Sequence, residues 1–235
     1  MSYNQNKIIE NITPFTLLDF PKTPSAVIWF SACNMRCQFC YNEEIVLSKG
    51  RLCFDEIKEF FISRQHLLKG VVFCGGEPTI HNEIIEIAKY LKNLDFKIKL
   101  DTNGLNPKII KSLLKEKLID YIALDFKSTK NKFKTITNLN INLYKNFLLS
   151  LDTLINSKID YEIRTTIHSD LLDENDIKSM MDLLQKYNYK KNYYLQNFIS
   201  NKKTINNLSK NHKKISKDFI QKYMDKYNFH IKLRN

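Results

Sequence analysis

The stretch Ala26-Val-Ile-Trp-Phe-Ser-Ala-Cys33-Asn-Met-Arg-Cys37-Gln-Phe-Cys40 decides the fold of this 235-residue chain. Its first five residues are apolar and mostly β-branched or aromatic, which predicts a buried strand. Three cysteines follow within eight residues, so the strand leads directly into a loop of thiols. Three thiolates can hold one metal centre, but a four-iron cluster normally takes four cysteines. One coordination position would therefore stay open.

Five further short apolar runs predict strands, and each ends in polar or glycine-rich residues. They are 70–75, 96–100, 120–124, 160–163 and 193–195, and the residues at their ends are Gly75-Gly-Glu77, Asp101-Thr-Asn103, Asp125-Phe-Lys127, Arg164-Thr-Thr166 and Gln196. Helical patterns lie between them, over 54–68, 82–94, 108–117, 143–156, 174–187 and 209–227. The alternation predicts an α/β fold, a partial (β/α)6 TIM-like barrel whose polar strand ends meet at one mouth.

Other chemistry could explain the cysteines. A structural zinc site usually closes with four Cys or His ligands, often as two Cys-x-x-Cys pairs, and only Cys37 and Cys40 form such a pair. Cys53 and Cys74 stand apart in apolar runs and are interpreted as buried small hydrophobic residues. Five cysteines in a chain without a signal peptide do not favour a disulfide framework.

The motifs together resemble a known family. Cys-x-x-x-Cys-x-x-Cys after one strand and Gly75-Gly-Glu-Pro78 after the next are similar to the radical S-adenosylmethionine (SAM) superfamily. Four further motifs resemble the glycyl-radical-enzyme activases, most of all the activating protein of the anaerobic ribonucleoside-triphosphate reductase. They are Thr13-Pro-Phe-Thr-Leu-Leu-Asp-Phe-Pro21, Asp101-Thr-Asn-Gly104, Ala123-Leu-Asp-Phe-Lys127 and Tyr161-Glu-Ile-Arg-Thr-Thr166. The resemblance covers residues 12–234 and implies a radical SAM core.

The resemblance also implies cofactors. Cys33, Cys37 and Cys40 would ligate three irons of a [4Fe–4S] cluster, and SAM would close the fourth iron. The reduced cluster then cleaves SAM to methionine and a 5′-deoxyadenosyl radical. The implied SAM site comprises Phe39, Tyr41, Gly75, Gly76, Glu77, Asp101, Asn103, Asp125, Lys127 and Arg164. Asp101, Thr102 and Asp125 would hold a monovalent cation.

Several of these residues have a second interpretation. Glu77 could be a helix-entry acid before a proline, and Lys127 could be a solvated lysine. Arg164 could pair with a carboxylate at the end of a buried strand. Tyr41 stands where the family usually has His, and His168 is out of register with a histidine that some activases use.

Length and composition fit one domain. At 43% hydrophobic residues the chain can bury a sizeable core. We predict a single radical SAM domain over 1–235, with an N-terminal extension (1–24), a barrel core (25–200) and a basic C-terminal loop, helix and strand (201–235). The polar part, 201–214, is expected to form a mobile loop. No stretch approaches a membrane span, and an oxidisable cluster indicates a cytoplasmic location.

The net charge of +12 is concentrated near the C-terminus, where residues 186–235 carry twelve Lys and one Arg against two Asp. This segment could be a solvated, lysine-biased helix, a docking face for an acidic partner, or a nucleic-acid site. Nucleic acid ranks last, because the whole chain has only five arginines and no recognition motif.

The predicted function is activation of a glycyl-radical enzyme, with the anaerobic ribonucleotide reductase as partner and flavodoxin or ferredoxin as electron donor. Alternatives are activation of an enzyme of the pyruvate formate-lyase type, or a radical SAM reaction on a small molecule such as a deazapurine precursor. The most distant alternative is a zinc- and nucleic-acid-binding protein without enzymatic activity.

Overall fold

The strands of the protein alternate with helices along the chain. The computed structural model describes residues 6–200, 203–208, 216–224 and 226–234. Its strands are β1 (Ile9–Thr16), β2 (Ser25–Phe30), β3 (Gly70–Gly75), β4 (Lys97–Thr102), β5 (Tyr121–Asp125), β6 (Asp160–Ile167), β7 (Asn192–Asn197) and β8 (His230–Arg234). They form one sheet in chain order. β1 runs antiparallel to β2, whereas β2–β3–β4 and β6–β7–β8 are parallel.

The described helices are short. They are α1 (Glu43–Leu47), α2 (Lys58–Ile62), α3 (Ile84–Asn93), α4 (Pro107–Lys115), α5 (Phe133–Thr137), α6 (Tyr144–Ile155), α7 (Glu174–Lys186) and α8 (Lys217–Met224). Sequence signals explain several boundaries: Pro107 opens α4, and Asp173 with Asp176 forms a capping box at the start of α7. None of these helices is both long and apolar enough to cross a membrane.

The chain divides into two compact units, each with its own buried side chains. Unit 1 comprises Met1–Asn34, Asn42–Thr102 and Asn106–Ala123, and unit 2 comprises Met35–Tyr41, Asn103–Leu105 and Leu124–Asn235. In unit 1, alternate residues of β2 and β3 pack with Phe20. In unit 2, Tyr189 and Tyr193 are fully buried and pack around Phe229. The prediction of one domain with a 25–200 core stays a prediction.

The structure differs from the sequence prediction in several places, including two short helices, α1 and α5, that were not predicted. β1 lies in the segment predicted as an N-terminal extension. The helix predicted over 54–68 is a 3₁₀ turn at 55–57 followed by α2, because Ser63 bonds back to the Phe60 carbonyl and only turns follow. Of the helix predicted over 209–227, residues 217–224 are helical, while 209–215 lie outside the described residues. Most of the loop predicted over 201–214 also lies outside them.

Candidate active site

All three clustered cysteines fall between β2 and α1, in residues 31–42, which we call the cysteine loop. Cys33 belongs to unit 1, and Cys37 and Cys40 belong to unit 2. None forms a disulfide. Cys37 is buried, and its thiol lies 3.6 Å from the Met35 thioether. Burial raises the pKa of the Cys37 thiol to about 12, although the nearby Lys127 ammonium opposes this shift.

This donor set fits an iron–sulfur cluster. Thiolates are the ordinary ligands of such clusters, and three unbridged thiols occur within eight residues here. Ligation would replace the proton of the buried Cys37 thiol by iron, so the sulfur would not have to carry an uncompensated charge. Within the described part of the chain, no group of three or more His, Cys, Asp or Glu side chains is placed to hold a single metal ion. Cys53 and Cys74 are half-buried rather than fully buried.

Gly75 and Gly76, at the end of β3, pack against the end of β2 and the start of the cysteine loop in unit 1. Gly76 and Glu77 donate backbone hydrogen bonds to the carbonyls of Phe30 and Ala32, at 2.8 and 2.9 Å. A Cβ on Gly76 would lie 1.6 Å from the Ala32 carbonyl oxygen. Gly75 has φ +116°, a conformation that residues with a Cβ rarely adopt. Gly75 is therefore required by its own backbone conformation and the main chain of β2, and Gly76 by the main chain of the cysteine loop.

Glu77 is almost fully buried and organises the next turn. Its Oε1 accepts hydrogen bonds from the Thr79 backbone N–H at 3.1 Å and the Thr79 hydroxyl at 2.6 Å. The Thr102 hydroxyl at the end of β4 donates to the same oxygen at 2.7 Å. The carboxylate thus ties the ends of β3 and β4 together, and it also fills the helix-entry role that the sequence offered as an alternative.

The three predicted cation ligands each have a local partner. Asp101 pairs with the buried Lys99, and Thr102 donates to Glu77. Asp125 pairs with two cationic side chains in unit 2. Asn103, which belongs to the predicted SAM site, is buried and accepts a hydrogen bond from the Leu105 N–H at 3.0 Å. The cation site stays a prediction.

Asp125, at the end of β5, is the centre of a cluster of three charged side chains in unit 2. Its Oδ1 lies 2.5 Å from Arg164 Nε, and its Oδ2 lies 3.0 Å from Lys127 Nζ. Burial would raise the pKa of the Asp125 carboxyl, but the two cations hold it well below its ordinary value. Burial would likewise lower the pKa of Lys127, and Asp125 raises it above its ordinary value. All three groups are therefore charged at neutral pH.

We expect Asp125→Asn to destabilise the protein by about 2 kcal/mol at neutral pH, because it leaves two cations facing a neutral amide in a mostly buried site. The folded pKa of Asp125 is lower than the unfolded value, so its stabilisation is present above about pH 4 and declines as the pH falls below that. Urea unfolding at several pH values should therefore show the gap between the two proteins narrowing in acid.

The matched control for this change is Asp160→Asn. Asp160 pairs with Lys191 at 3.0 Å, but both side chains are largely exposed. We expect a cost below about 0.5 kcal/mol, since exposed ion pairs contribute little. Equal costs for the two variants would contradict the assignment of a buried charge cluster to Asp125.

Two aromatic residues flank Cys40 in unit 2. The Lys127 ammonium lies 5.6 Å from the centre of the Phe39 ring. The Tyr41 ring stacks on Phe198, with ring centres 5.3 Å apart, and its hydroxyl accepts a hydrogen bond from the Ile199 N–H at 2.6 Å. Tyr41 therefore ties the cysteine loop to the chain that follows β7, a role that the sequence did not predict.

Sequence reasoning also missed Gln38 and Ser128. Ser128 is buried and follows Lys127 directly, and its hydroxyl has no hydrogen-bond partner among the described residues. It lines a small cavity together with Met35, Asn103 and Asp125. A serine directly after the Asp-x-Lys motif was the available signal. His168 is fully buried against Phe198, and its Nδ1 accepts a hydrogen bond from the Asp170 N–H.

Comparison with known proteins identifies the family. The family profile described as the radical SAM superfamily matches residues 27–186, about two thirds of the chain. The chain belongs to the radical SAM superfamily. The match includes the cysteine loop, Gly75 and Gly76 after β3, and Asp125 with Lys127 after β5. The family implies use of SAM and a [4Fe–4S] cluster.

Among curated relatives of this radical SAM protein is a "Putative glycyl-radical enzyme activating enzyme" of Methanocaldococcus jannaschii, 34% identical over 178 residues that cover 74% of this chain and 73% of the relative. This likeness places the chain with the radical SAM activase group. A "Probable GTP 3′,8-cyclase" of Pyrococcus horikoshii is 29% identical over 123 residues, which cover 52% of this chain and 40% of the cyclase.

The solved structures confirm the predicted fold class. Streptococcus suis SuiB bound to S-adenosylmethionine matches 89% of this chain with a TM-score of 0.64 at 14% sequence identity. At that identity the likeness shows the α/β radical SAM fold alone. The chain spans about half the length of SuiB.

Proposed function

We propose that this radical SAM enzyme generates a glycyl radical on a partner enzyme, and that the anaerobic ribonucleoside-triphosphate reductase is the first partner to test. The observation that carries the proposal is the 34% identity to the Methanocaldococcus jannaschii protein along most of both chains. The motifs that resemble activases, including Asp125-Phe-Lys127 after β5, support it further.

In this proposal the cysteine loop holds the cluster. Cys33, Cys37 and Cys40 supply three thiolate ligands, which leaves one iron open for SAM. When bound, the cluster supplies the electron that cleaves SAM to methionine and a deoxyadenosyl radical. The protein contributes orientation and electrostatics rather than this chemistry. Cys37 and Met35 are both buried, so this ligand would be held away from bulk water.

The strand ends would bind SAM. The backbone at Gly75 and Gly76, which packs against Phe30 and Ala32, sets the position of Glu77, and the Glu77 carboxylate is the proposed acceptor for the SAM ammonium. Lys127, held by Asp125, pairs with the SAM carboxylate through a charge-assisted bond. Arg164 binds the other carboxylate oxygen of Asp125. Phe39, Tyr41, Asp101 and Asn103 complete the proposed SAM site.

The substrate hydrogen would come from a glycine of the partner. The deoxyadenosyl radical takes one hydrogen atom from the glycine Cα, which gives 5′-deoxyadenosine and leaves the unpaired electron on that carbon. The glycyl radical is stabilised by both flanking amides. A flavodoxin or ferredoxin would supply the electron for each turnover. An oxygen-sensitive cluster and unbridged thiols suit a cytoplasmic site with little oxygen.

The second candidate is a radical SAM reaction on a small molecule. The identity to the Pyrococcus horikoshii cyclase favours it, but that likeness covers only about half of this chain. A pyruvate formate-lyase type partner is a third option within the activase class. Nucleic-acid binding ranks behind all of these.

The decisive experiment mixes the reduced, anaerobically reconstituted protein with SAM and the candidate reductase. We expect a glycyl doublet in the electron paramagnetic resonance spectrum and one 5′-deoxyadenosine per radical formed. A reductase whose acceptor glycine is replaced by alanine is the control and should give no doublet. Deoxyadenosine formation coupled to turnover of GTP or another small molecule, with no radical on any glycyl-radical enzyme, would refute the proposal.

A further inference from the structure

The half of the cysteine loop that carries Cys37 and Cys40 is fastened to the end of α5. The Arg36 N–H donates to the Thr137 carbonyl at 2.9 Å, and the Gln38 N–H donates to the Ile136 carbonyl at 3.0 Å. The Gln38 side chain adds a third bond, from Nε2 to the Thr135 carbonyl at 2.7 Å. The last carbonyls of a helix have no partner within the helix, so these donors satisfy groups that would otherwise need water.

The same loop is fastened on its other side by residues 203–208, which we call the cover segment. The Ile205 N–H donates to the Cys40 carbonyl at 3.0 Å. Asn206 Nδ2 donates to Gln38 Oε1 at 3.2 Å. Thr204, at the start of the segment, is buried. The Gln38 amide is thus used at both ends, as a donor to α5 and as an acceptor from the cover segment.

We propose that Gln38 is a positioning residue for the iron–sulfur cluster, because its amide clamps the Cys37–Cys40 half of the loop between α5 and the cover segment. This inference rests on the proposed cluster. Gln38 is separated from each of these two cysteines by at most one residue, so any movement of its backbone moves the ligands. Side chains that orient metal ligands through hydrogen bonds commonly change metal affinity by about 10- to 100-fold when they are removed.

The Gln38 side chain contributes little to packing of the core. Gln38 is only partly buried, and its side-chain bond to α5 is solvent-exposed, so removing the amide costs little packing. Removal of the Gln38 side-chain amide should therefore change the properties of the cluster but barely change the free energy of global unfolding. Methionine has the same length as glutamine and no charge, but it offers no N–H donor and only a weak acceptor. Gln38→Met removes the clamp without placing a new charge beside the cluster.

The experiment compares reconstituted wild type with Gln38→Met under anaerobic conditions. We expect release of iron to a ferrous chelator to be about 10-fold faster in the variant, as for other residues that orient metal ligands. The resonance spectrum of the reduced cluster should also broaden, while the thermal unfolding midpoint of the apoprotein stays within a few degrees. Gln185→Met is the matched control, because Gln185 Oε1 accepts from the Asn228 N–H at 3.0 Å in unit 2.

The outcomes separate the two proposals. If wild type binds no cluster, the proposed function fails. If wild type binds a cluster and Gln38→Met releases iron at the wild-type rate with an unchanged spectrum, the positioning role of Gln38 is wrong while the proposed function stands. Equal acceleration in Gln38→Met and Gln185→Met would also overturn the inference, since it would indicate a general loss of stability. Should Gln38→Met bind no iron, Asn206→Ala removes only the side-chain bond from the cover segment to Gln38 and should give an intermediate rate, whereas release at the wild-type rate would overturn the inference.

Discussion

Cys37→Ala is expected to abolish the cluster and with it all cleavage of SAM. The variant retains only two of the three clustered thiols, and two thiolates cannot hold three irons of a cube. We expect bound iron to fall from about four per chain to well below one, and the iron–sulfur charge-transfer absorption to disappear. Because the side chain is small, the fold should lose only about 1 kcal/mol. Iron analysis, absorption spectra and thermal unfolding of anaerobic preparations measure these quantities.

The control is Cys53→Ala, which removes a thiol of the same size from a half-buried position outside the cysteine loop. It should keep its iron, its colour and its spectral response to SAM. A Cys37→Ala protein that stays brown and responds to SAM would contradict the ligand assignment. A colourless wild-type protein that binds one zinc would contradict the cluster altogether.

Gly76→Ala is expected to destabilise the protein by about 4 kcal/mol, at the upper end of single substitutions. The new Cβ would lie 1.6 Å from the Ala32 carbonyl oxygen, and that oxygen belongs to the main chain and cannot rotate away. The hydrogen bonds that Gly76 and Glu77 donate to Phe30 and Ala32 would have to break for the backbones to separate. Urea unfolding monitored by circular dichroism gives the difference in free energy directly.

The control is Ala32→Gly, which removes a Cβ from the residue that Gly76 contacts. Ala32 has φ +57°, so Ala32→Gly removes a Cβ from a left-handed residue and adds no atom. We expect its stability to lie within about 1 kcal/mol of wild type, because relief of strain and the entropy of the unfolded chain oppose each other. A Gly76→Ala protein as stable as Ala32→Gly would show that the loop and β3 separate freely.

The sequence predicted some elements closely and missed others for identifiable physical reasons. β3 was predicted with its observed bounds, since a continuous apolar run is enclosed by glycines at both ends. β1 was not predicted, because Pro14 and polar residues interrupt its pattern. Proline is nevertheless tolerated in a strand at the edge of a sheet, and β1 is the first strand of this sheet.

In the candidate site too, some residues could be predicted from the sequence and others could not. The cysteines and the residues at strand ends follow from local motifs, so they could be named from the sequence. The partners of those residues could not, because they lie far away along the chain: Gln38 meets Thr135 across 97 positions, and Tyr41 meets Ile199 across 158. No periodicity encodes such contacts. The bond between Arg164 and Asp125 was one of two interpretations open for Arg164, and only coordinates place those two atoms together.

The distance along the chain between the cysteines and their supports has a consequence for biogenesis. A ribosome exposes Cys33, Cys37 and Cys40 first, but α5 is made about a hundred codons later and Asn206 follows Gln38 by 168 positions. Contacts between remote segments form only after both have been synthesised and the intervening chain has closed. Iron delivered to the nascent polypeptide would meet three thiols on an unsupported loop. Maturation of the holoenzyme is therefore expected to follow synthesis of both α5 and the cover segment.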